Sequence, residues 1–272
     1  MSTVIQLGER LAVAGATGRV GRHVVDVLEE RGHSVVPIAR SLGVDVVTGE
    51  GLAEALAGVK TVVDTATQPA NDQDAATAFF TASARNLQEV GEEAGVKRIV
   101  MVSIIGVDRF TAGFLAAKRV HEQVLPAGPI PVSILRAAQF HEFVPQLVDW
   151  GRQDDVSYVP NMRTQLVAAR TVAEALADLA TAPWLAAPAS NGPLIPEIAG
   201  PREERLVEVA RLLAARRGDP LRIEGVVNPD DPDADLYAEG AQLPGPHATL
   251  AGPTFAEWID RQLASEVSQL SV

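Results

Sequence analysis

Two hydrophobic rhythms run through this chain. Up to about residue 155, short apolar runs lie at 10–14, 34–38, 44–47, 61–64, 98–103 and 131–136. Between them are longer stretches, at 18–31, 52–57, 74–94 and 114–125, in which apolar positions recur every three or four residues. The short runs are mostly continuous rather than alternating, the pattern of strands covered on both faces. The longer stretches carry the period of an amphipathic helix. Strand and helix in regular alternation predict right-handed βαβ units, and therefore a doubly wound α/β fold on a parallel sheet.

Past residue 155 the rhythm loosens. Proline and glycine gather at 182–192, 218–220, 228–232 and 243–253, where they interrupt regular structure. Helices are predicted at 172–181, 202–217 and 254–264, with short strands at 165–169, 193–199 and 221–226. Thr254, followed three residues later by Glu257, forms a capping box for the last helix. The expected organisation is a large α/β domain at 1–155 and a smaller α+β part at 156–272, interleaved with it and packed on it.

One junction carries a specific chemical signal. The first apolar run, Leu11-Ala12-Val13-Ala14, leads straight into Gly15-Ala16-Thr17-Gly18-Arg19-Val20-Gly21 and then into the first helical stretch. Glycine turns the backbone at positive φ, and its missing side chain lets a phosphate approach. The helix start offers unpaired N–H groups and the positive end of the helix dipole. Strand, glycine-rich turn and helix in that order form a cradle for a dinucleotide pyrophosphate. The spacing is G-x-x-G-x-x-G rather than the G-x-G-x-x-G of many dehydrogenases, and a tight turn without a ligand has the same pattern. Gly15, Thr17, Gly18, Arg19, Val20 and Gly21 are the expected contacts.

The end of the second apolar run bears on which dinucleotide binds. Ile38-Ala39-Arg40-Ser41 puts an arginine where NAD-preferring Rossmann proteins carry a carboxylate for the ribose 2′-hydroxyl, and an arginine suits a 2′-phosphate instead. Arg40, helped by Ser41 and Arg19, therefore predicts NADP(H). The run at 61–64 leads into Thr65 and Ala66, small enough for a cofactor to cross the strand ends. Glu50, just beyond the run at 44–47, is expected near the adenine.

Composition narrows the alternatives. The chain has 272 residues, 47% of them hydrophobic, a formal net charge of −12 and no cysteine. That acidity leaves no broad basic surface for a phosphate backbone, so no direct nucleic-acid partner is expected; Arg211, Arg216 and Arg217 read as a solvated helix face. Without cysteine there are neither disulfides nor thiolate metal sites. The acidic stretch 230–235 reads as a solvated loop. No apolar run reaches membrane-spanning length and residues 1–10 hold no apolar signal core, which predicts a soluble cytoplasmic protein.

Several segments together resemble the NmrA-like atypical short-chain dehydrogenase/reductases. They are GATGRVG at 15–21, the strand end at Arg40, LAEALAGVKTVVDTAT at 52–67, RNLQEVGEEAGVKRIVMVSIIGVDR at 85–109, AAKRVHEQVL at 116–125, ILRAAQFHEF at 134–143 and TFAEWI at 254–259. The resemblance implies a Rossmann fold with a small C-terminal substrate-binding part. It also implies the parent superfamily's Ser, Tyr and Lys. There the Tyr exchanges a proton with the substrate oxygen, the Lys holds the nicotinamide ribose and the Ser orients the carbonyl. Ser103 and Lys118 match the Ser and the Lys. The Tyr position, one helical turn before Lys118 on the same face, is Phe114, which has no proton to give. His141, after the run at 131–136, is the substitute acid expected at a strand's carboxyl end, or else a structural ring. His121 reads as a helix-surface residue. The activity implied is NADPH-dependent reduction of a small carbonyl, quinone or conjugated acceptor. The alternatives are a non-catalytic NADP(H) sensor with a regulatory partner and an isomerase or epimerase that uses the nucleotide catalytically. A monomer or weak dimer is expected.

Overall fold

Leu11, Ala12, Val13 and Ala14 are wholly buried, as a strand covered on both faces requires. The computed structural model describes residues 9–68, 72–183 and 194–270. It begins β1 (Arg10–Ala14), α1 (Gly21–Glu30), β2 (Ser34–Ile38), α2 (Leu52–Leu56), β3 (Thr61–Asp64), α3 (Gln73–Ala94), β4 (Arg98–Ile104), α4 (Gly113–Val124) and β5 (Val132–Ala137). There follow α5 (Phe143–Trp150), β6 (Arg152–Gln153), β7 (Val156–Pro160), β8 (Arg163–Thr164), α6 (Ala169–Thr181), β9 (Glu197–Ala199) and β10 (Glu204–Arg205). The last elements are α7 (Leu206–Arg217), β11 (Arg222–Val226), α8 (Ala234–Glu239), β12 (Thr249–Leu250) and α9 (Phe255–Leu270). Seven strands form one sheet in the order β12-β9-β5-β4-β3-β1-β2. The pairs β1–β2, β1–β3, β3–β4, β5–β9 and β9–β12 are all parallel. The doubly wound α/β fold expected from the sequence is present.

The chain divides into two compact units, one made of Met1–Ser103, Gly113–Leu135 and Val172–Ile195, the other of Ile104–Ala112, Arg136–Thr171 and Pro196–Val272. In the first unit, Ala12, Val62 and Ile99 from the strands meet Phe80 and Leu87 from α3 and Ala117 from α4 in one buried cluster. Its strand order, β2-β1-β3-β4, reverses between β1 and β3. Ligands of such sheets bind outside the carboxyl ends of the strands at this reversal. Gly15 follows β1 there, and Thr65 follows β3.

The strand expected at 44–47 does not form. Asn86 Nδ2 donates to the carbonyls of Val46 (2.9 Å) and Val47 (2.7 Å), and the Val47 amide donates to Asp45 Oδ1 (2.7 Å). The segment closes into turns, Val46 is buried against the core, and β2 is left as the sheet edge. Glu50, expected near the adenine, lies exposed in those turns.

The second unit has its own core, with Val144, Val159, Leu206, Leu213, Ile223 and Phe255 among its members. Helix α5 was not expected from the sequence. The strand expected at 165–169 is replaced by a single bridge between Phe140 and Val167, while Arg163 and Thr164 pair with β10. The acidic stretch 230–235 is no mere solvated loop. Asp233 is 7% exposed and accepts from the Thr111 amide (2.6 Å), the Thr111 hydroxyl (2.9 Å) and the Ala112 amide (2.9 Å). The capping box is present: the Thr254 amide donates to Glu257 Oε2 (2.9 Å) and the Glu257 amide to Thr254 Oγ1 (3.3 Å). Residues 184–193, which hold most of the proline- and glycine-rich cluster at 182–192 and the start of the strand expected at 193–199, lie outside the described residues.

Candidate functional site

The loop after β1 is held from below by its neighbours. The amides of Gly15 (2.9 Å) and Ala16 (3.2 Å) donate to the Ile38 carbonyl at the end of β2, and the Gly18 amide donates to the Gly15 carbonyl (2.9 Å). Thr65 donates to the Ala14 carbonyl from both its amide (2.9 Å) and its hydroxyl (2.7 Å). Gly15 has φ +76°, and a Cβ on it would lie 2.7 Å from the Thr65 carbonyl oxygen. A Cβ on Gly21 would lie 2.1 Å from the Gly15 carbonyl oxygen and 2.7 Å from Thr65 Oγ1. The helix entry is therefore pressed onto the loop at backbone distance. Helix α1 starts with no side-chain cap and no acidic residue in its first turn, so its N–H groups and dipole remain suited to an anion. These features fit a dinucleotide pyrophosphate.

The expected contacts are distributed around this loop. Thr17 is exposed, Gly18 and Arg19 are half-buried, and Val20 is buried. Arg40 and Ser41 are exposed on the 3₁₀ turn that follows β2. Thr65 and Ala66 are buried beside the loop, and Thr65 spends its hydroxyl on the loop backbone.

Next to Thr65, the last residue of β3 anchors a group that sequence reasoning missed. Asp64, Lys118 and His121 are 0%, 5% and 1% exposed. Asp64 Oδ1 accepts from the Ala66 amide (3.0 Å), and Oδ2 lies 3.2 Å from His121 Nε2, off the best hydrogen-bond direction. Lys118 Nζ lies 3.0 Å from His121 Nδ1 and 4.6 Å above the centre of the Phe80 ring, on which the His121 ring also stacks at 4.7 Å. His121 is thus not the helix-surface residue the sequence suggested. The missed signal was a carboxylate ending an apolar strand, which needs a buried partner, together with two basic residues three apart on one helix face.

Burial strips water from all three groups, an effective cost of several kcal/mol for each ion. It lowers the Lys118 pKa to about 8, against the opposing pull of Asp64 and Glu122. Burial and the Lys118 charge lower that of His121, although Asp64 and Glu122 favour its protonation. For Asp64, burial acts to raise the pKa. The His121 contact, the Lys118 charge and the Ala66 amide outweigh it and hold the carboxylate ionised below its usual range.

Ser103, on β4, is 2% exposed, and its hydroxyl has no hydrogen-bond partner. Phe114 is 38% exposed and sets its ring edge-on to Phe80, 5.7 Å between centres. His141 belongs to the second unit and is wholly enclosed there. Its Nε2 lies 3.0 Å from the Pro253 carbonyl, and its ring packs on Phe255 and Trp258. Burial, opposed by that carbonyl, lowers its pKa to about 4. Such enclosure fits the structural ring that the sequence also allowed, with the imidazole packed against α9. Among the described residues no group of three His, Asp or Glu side chains is placed to hold a metal ion.

Comparison with known proteins agrees with this geometry. A curated relative, the photosystem II assembly factor Ycf39 of Synechocystis sp., is 29% identical over 146 residues, 48% of this chain and 45% of that protein. The match thus spans less than half the relative's length. Among solved structures, the NAD-dependent NDP-hexosamine 5,6-dehydratase TunA is 18% identical, with 96% of this chain and 98% of that one covered at a TM-score of 0.68. A dTDP-4-dehydrorhamnose reductase from Bacillus anthracis str. Ames, solved with NADP, is 14% identical, with 95% and 99% covered at a TM-score of 0.65. These structures share the fold. The family model for NAD(P)H binding matches residues 15–183, from the first glycine of the loop to just beyond α6, and the chain belongs to that NAD(P)H-binding family.

Proposed function

We propose that this protein binds NADP(H) and uses it to reduce a small carbonyl, quinone or conjugated acceptor by hydride transfer, without a tyrosine acid. The observation that carries the reading is the backbone cradle, where Gly15 and Gly21 leave no room for a Cβ and α1 begins uncapped. Gly15, Thr17, Gly18, Arg19, Val20 and Gly21 would hold the pyrophosphate, with Thr65 and Ala66 beneath the crossing. Arg40 and Ser41 would take the 2′-phosphate, Lys118 the nicotinamide ribose, and Ser103 the acceptor oxygen. Bound there, the cofactor supplies a hydride. A positioned acid is worth about 10²–10⁴ in rate, and Phe114 cannot act as one. A conjugated acceptor suits this site because its developing charge delocalises and needs less proton donation. The net charge of −12 argues against nucleic acid as a partner. Among the described residues no helix is long and apolar enough to cross a membrane. The proposed setting is cytoplasmic, as a monomer or weak dimer.

Turnover is tested by mixing the protein with NADPH and a panel of quinones, enones and ketones and following the nicotinamide absorbance. Oxidation of NADPH that is lost in Lys118→Ala supports the enzyme. Tight binding with no turnover on any acceptor replaces it with a second reading, a non-catalytic NADP(H) sensor, favoured by Phe114 and by the curated relative's name as an assembly factor. Cofactor choice is tested with Arg40→Asp, expected to weaken NADPH binding at least tenfold more than NADH binding; equal weakening overturns the preference.

A further inference from the structure

Asp64, Lys118 and His121 meet from two elements, with α3 covering them through the Phe80 ring. The charges acting on Lys118 are Asp64 from β3 and Glu122 from its own helix. A lysine ammonium can only donate, so His121 Nδ1 must accept from it and the ring proton sits on Nε2, facing Asp64. If that proton moves from Nζ to Nδ1, lysine becomes neutral and the ring becomes a cation between Nζ and the carboxylate. Both arrangements leave Asp64 ionised and the three groups with a net charge of zero. The two differ by one proton moved across 3.0 Å.

We infer that Asp64, His121 and Lys118 form one proton-sharing unit, in which Asp64 and His121 are positioning residues that aim Lys118 and keep a labile proton on it, in place of the hydroxyl missing at residue 114. The geometry supports this role because His121 and Phe80 hold the ammonium from two sides, while Phe114, the residue occupying the acid's position, rests on the same Phe80 ring. A lysine that only bonded the ribose would need neither a buried imidazole nor a buried carboxylate behind it. The inference rests on the reading of this region as an NADP(H) site.

The first test uses the free protein, with no cofactor, labelled with ¹⁵N-histidine. The His121 ring is expected as the Nε2–H tautomer, neutral through pH 6, with its shifts following a titration near pH 8 that disappears in Lys118→Met. A His121 ring that titrates near 6.5, or that ignores Lys118→Met, overturns the inference. The second test is Asp64→Asn, which keeps the shape and removes the charge that sustains the ammonium. The alkaline limb of the pH profile for NADPH oxidation should move to lower pH by at least one unit, while the NADPH dissociation constant at pH 6 stays within about threefold; an unmoved profile counts against the unit. His121→Asn, which retains an acceptor for Nζ, should restore more of the pH profile than His121→Leu, and equal profiles point to a packing role only. Wild-type protein that shows the His121–Lys118 coupling but binds no NADPH overturns the cofactor reading and leaves the unit standing.

Discussion

Replacing the three loop glycines by alanine should produce three different results, because an added Cβ meets a different environment at each position. At Gly21 the added Cβ would sit 2.1 Å from the Gly15 carbonyl oxygen, about 1.3 Å inside the 3.4 Å at which ordinary contact begins, with Thr65 Oγ1 at 2.7 Å as a second obstacle. The first obstacle is backbone, so no rotamer change relieves it and α1 must move off the loop. Overpacking of a tight site costs roughly 1–3 kcal/mol, and Gly21→Ala should fall at or above the top of that range. At Gly15 the residue has φ +76° and the Cβ meets the Thr65 carbonyl at 2.7 Å. The left-handed backbone costs an L-residue about 1–2 kcal/mol, and the clash adds to it. At Gly18 φ is not positive and a Cβ meets only one atom, at 3.0 Å. Its stiffer unfolded chain returns about 0.4–1 kcal/mol, so Gly18→Ala should stay within roughly 0.5 kcal/mol of wild type. Urea unfolding followed by far-ultraviolet circular dichroism gives the stability order, and titration with NADPH gives the loop's competence. Gly21→Ala unfolding at the same urea concentration as Gly18→Ala, with NADPH affinity intact, refutes the close-packing argument.

Acid should weaken the fold through His141. The unfolded chain protonates this residue below its ordinary 6.5 and the folded chain only below about 4. The unfolded state therefore binds the extra proton between these values, and stability is lost as pH falls through that window, by roughly 3 kcal/mol in all. His141→Gln, which keeps a donor for the Pro253 carbonyl, should flatten that part of the stability profile in urea titrations at pH 7, 5.5 and 4; an unchanged slope excludes His141 as its source. Asp233→Ala should cost about 1–2 kcal/mol, since it removes three hydrogen bonds to one carboxylate while water can reach the donors of the exposed Thr111. Asp233→Asn should recover part of the loss in thermal melts, and an Asp233→Ala protein that melts with wild type shows that the three donors find other partners.

What could be read from the sequence follows the range of the forces involved. The β1 strand, the glycine loop and α1 were legible because a buried strand, a positive φ and an amphipathic period are written within twenty neighbouring residues. The capping box at Thr254 and Glu257 was legible for the same reason. The run at 44–47 misled because Val46 is buried and Val44 and Val47 partly so, as in a strand, yet Asn86, some forty residues away, takes the carbonyls a strand would have needed. Asp233 misled in the opposite sense: an acidic, proline-flanked stretch looks solvated until Thr111 and Ala112 arrive as donors from over a hundred residues earlier. His121 was misjudged because a histidine in the charged stretch Lys118-Arg119-Val120-His121-Glu122 looks exposed when the helix is read alone. Asp64 at the end of Thr61-Val62-Val63 carried the correction, since a carboxylate closing an apolar strand must find a partner in the fold.

The adjacent pair Asp64-Thr65 explains why the loop and the charged group occur together. Thr65 turns its hydroxyl to the Ala14 carbonyl and fixes the level of the cradle. Asp64, one residue earlier, turns to His121 and so fixes the place of Lys118. The loop depends on short-range backbone repulsion, which salt and pH leave alone; the Lys118 group depends on charge in a water-poor interior, where one proton changes the balance. Two neighbouring residues at the end of β3 thus hold a rigid binding surface and a titratable group in one frame. Phe114 packs on Phe80 beside the second and makes no part of the first, so the loop and the charged group can be perturbed separately.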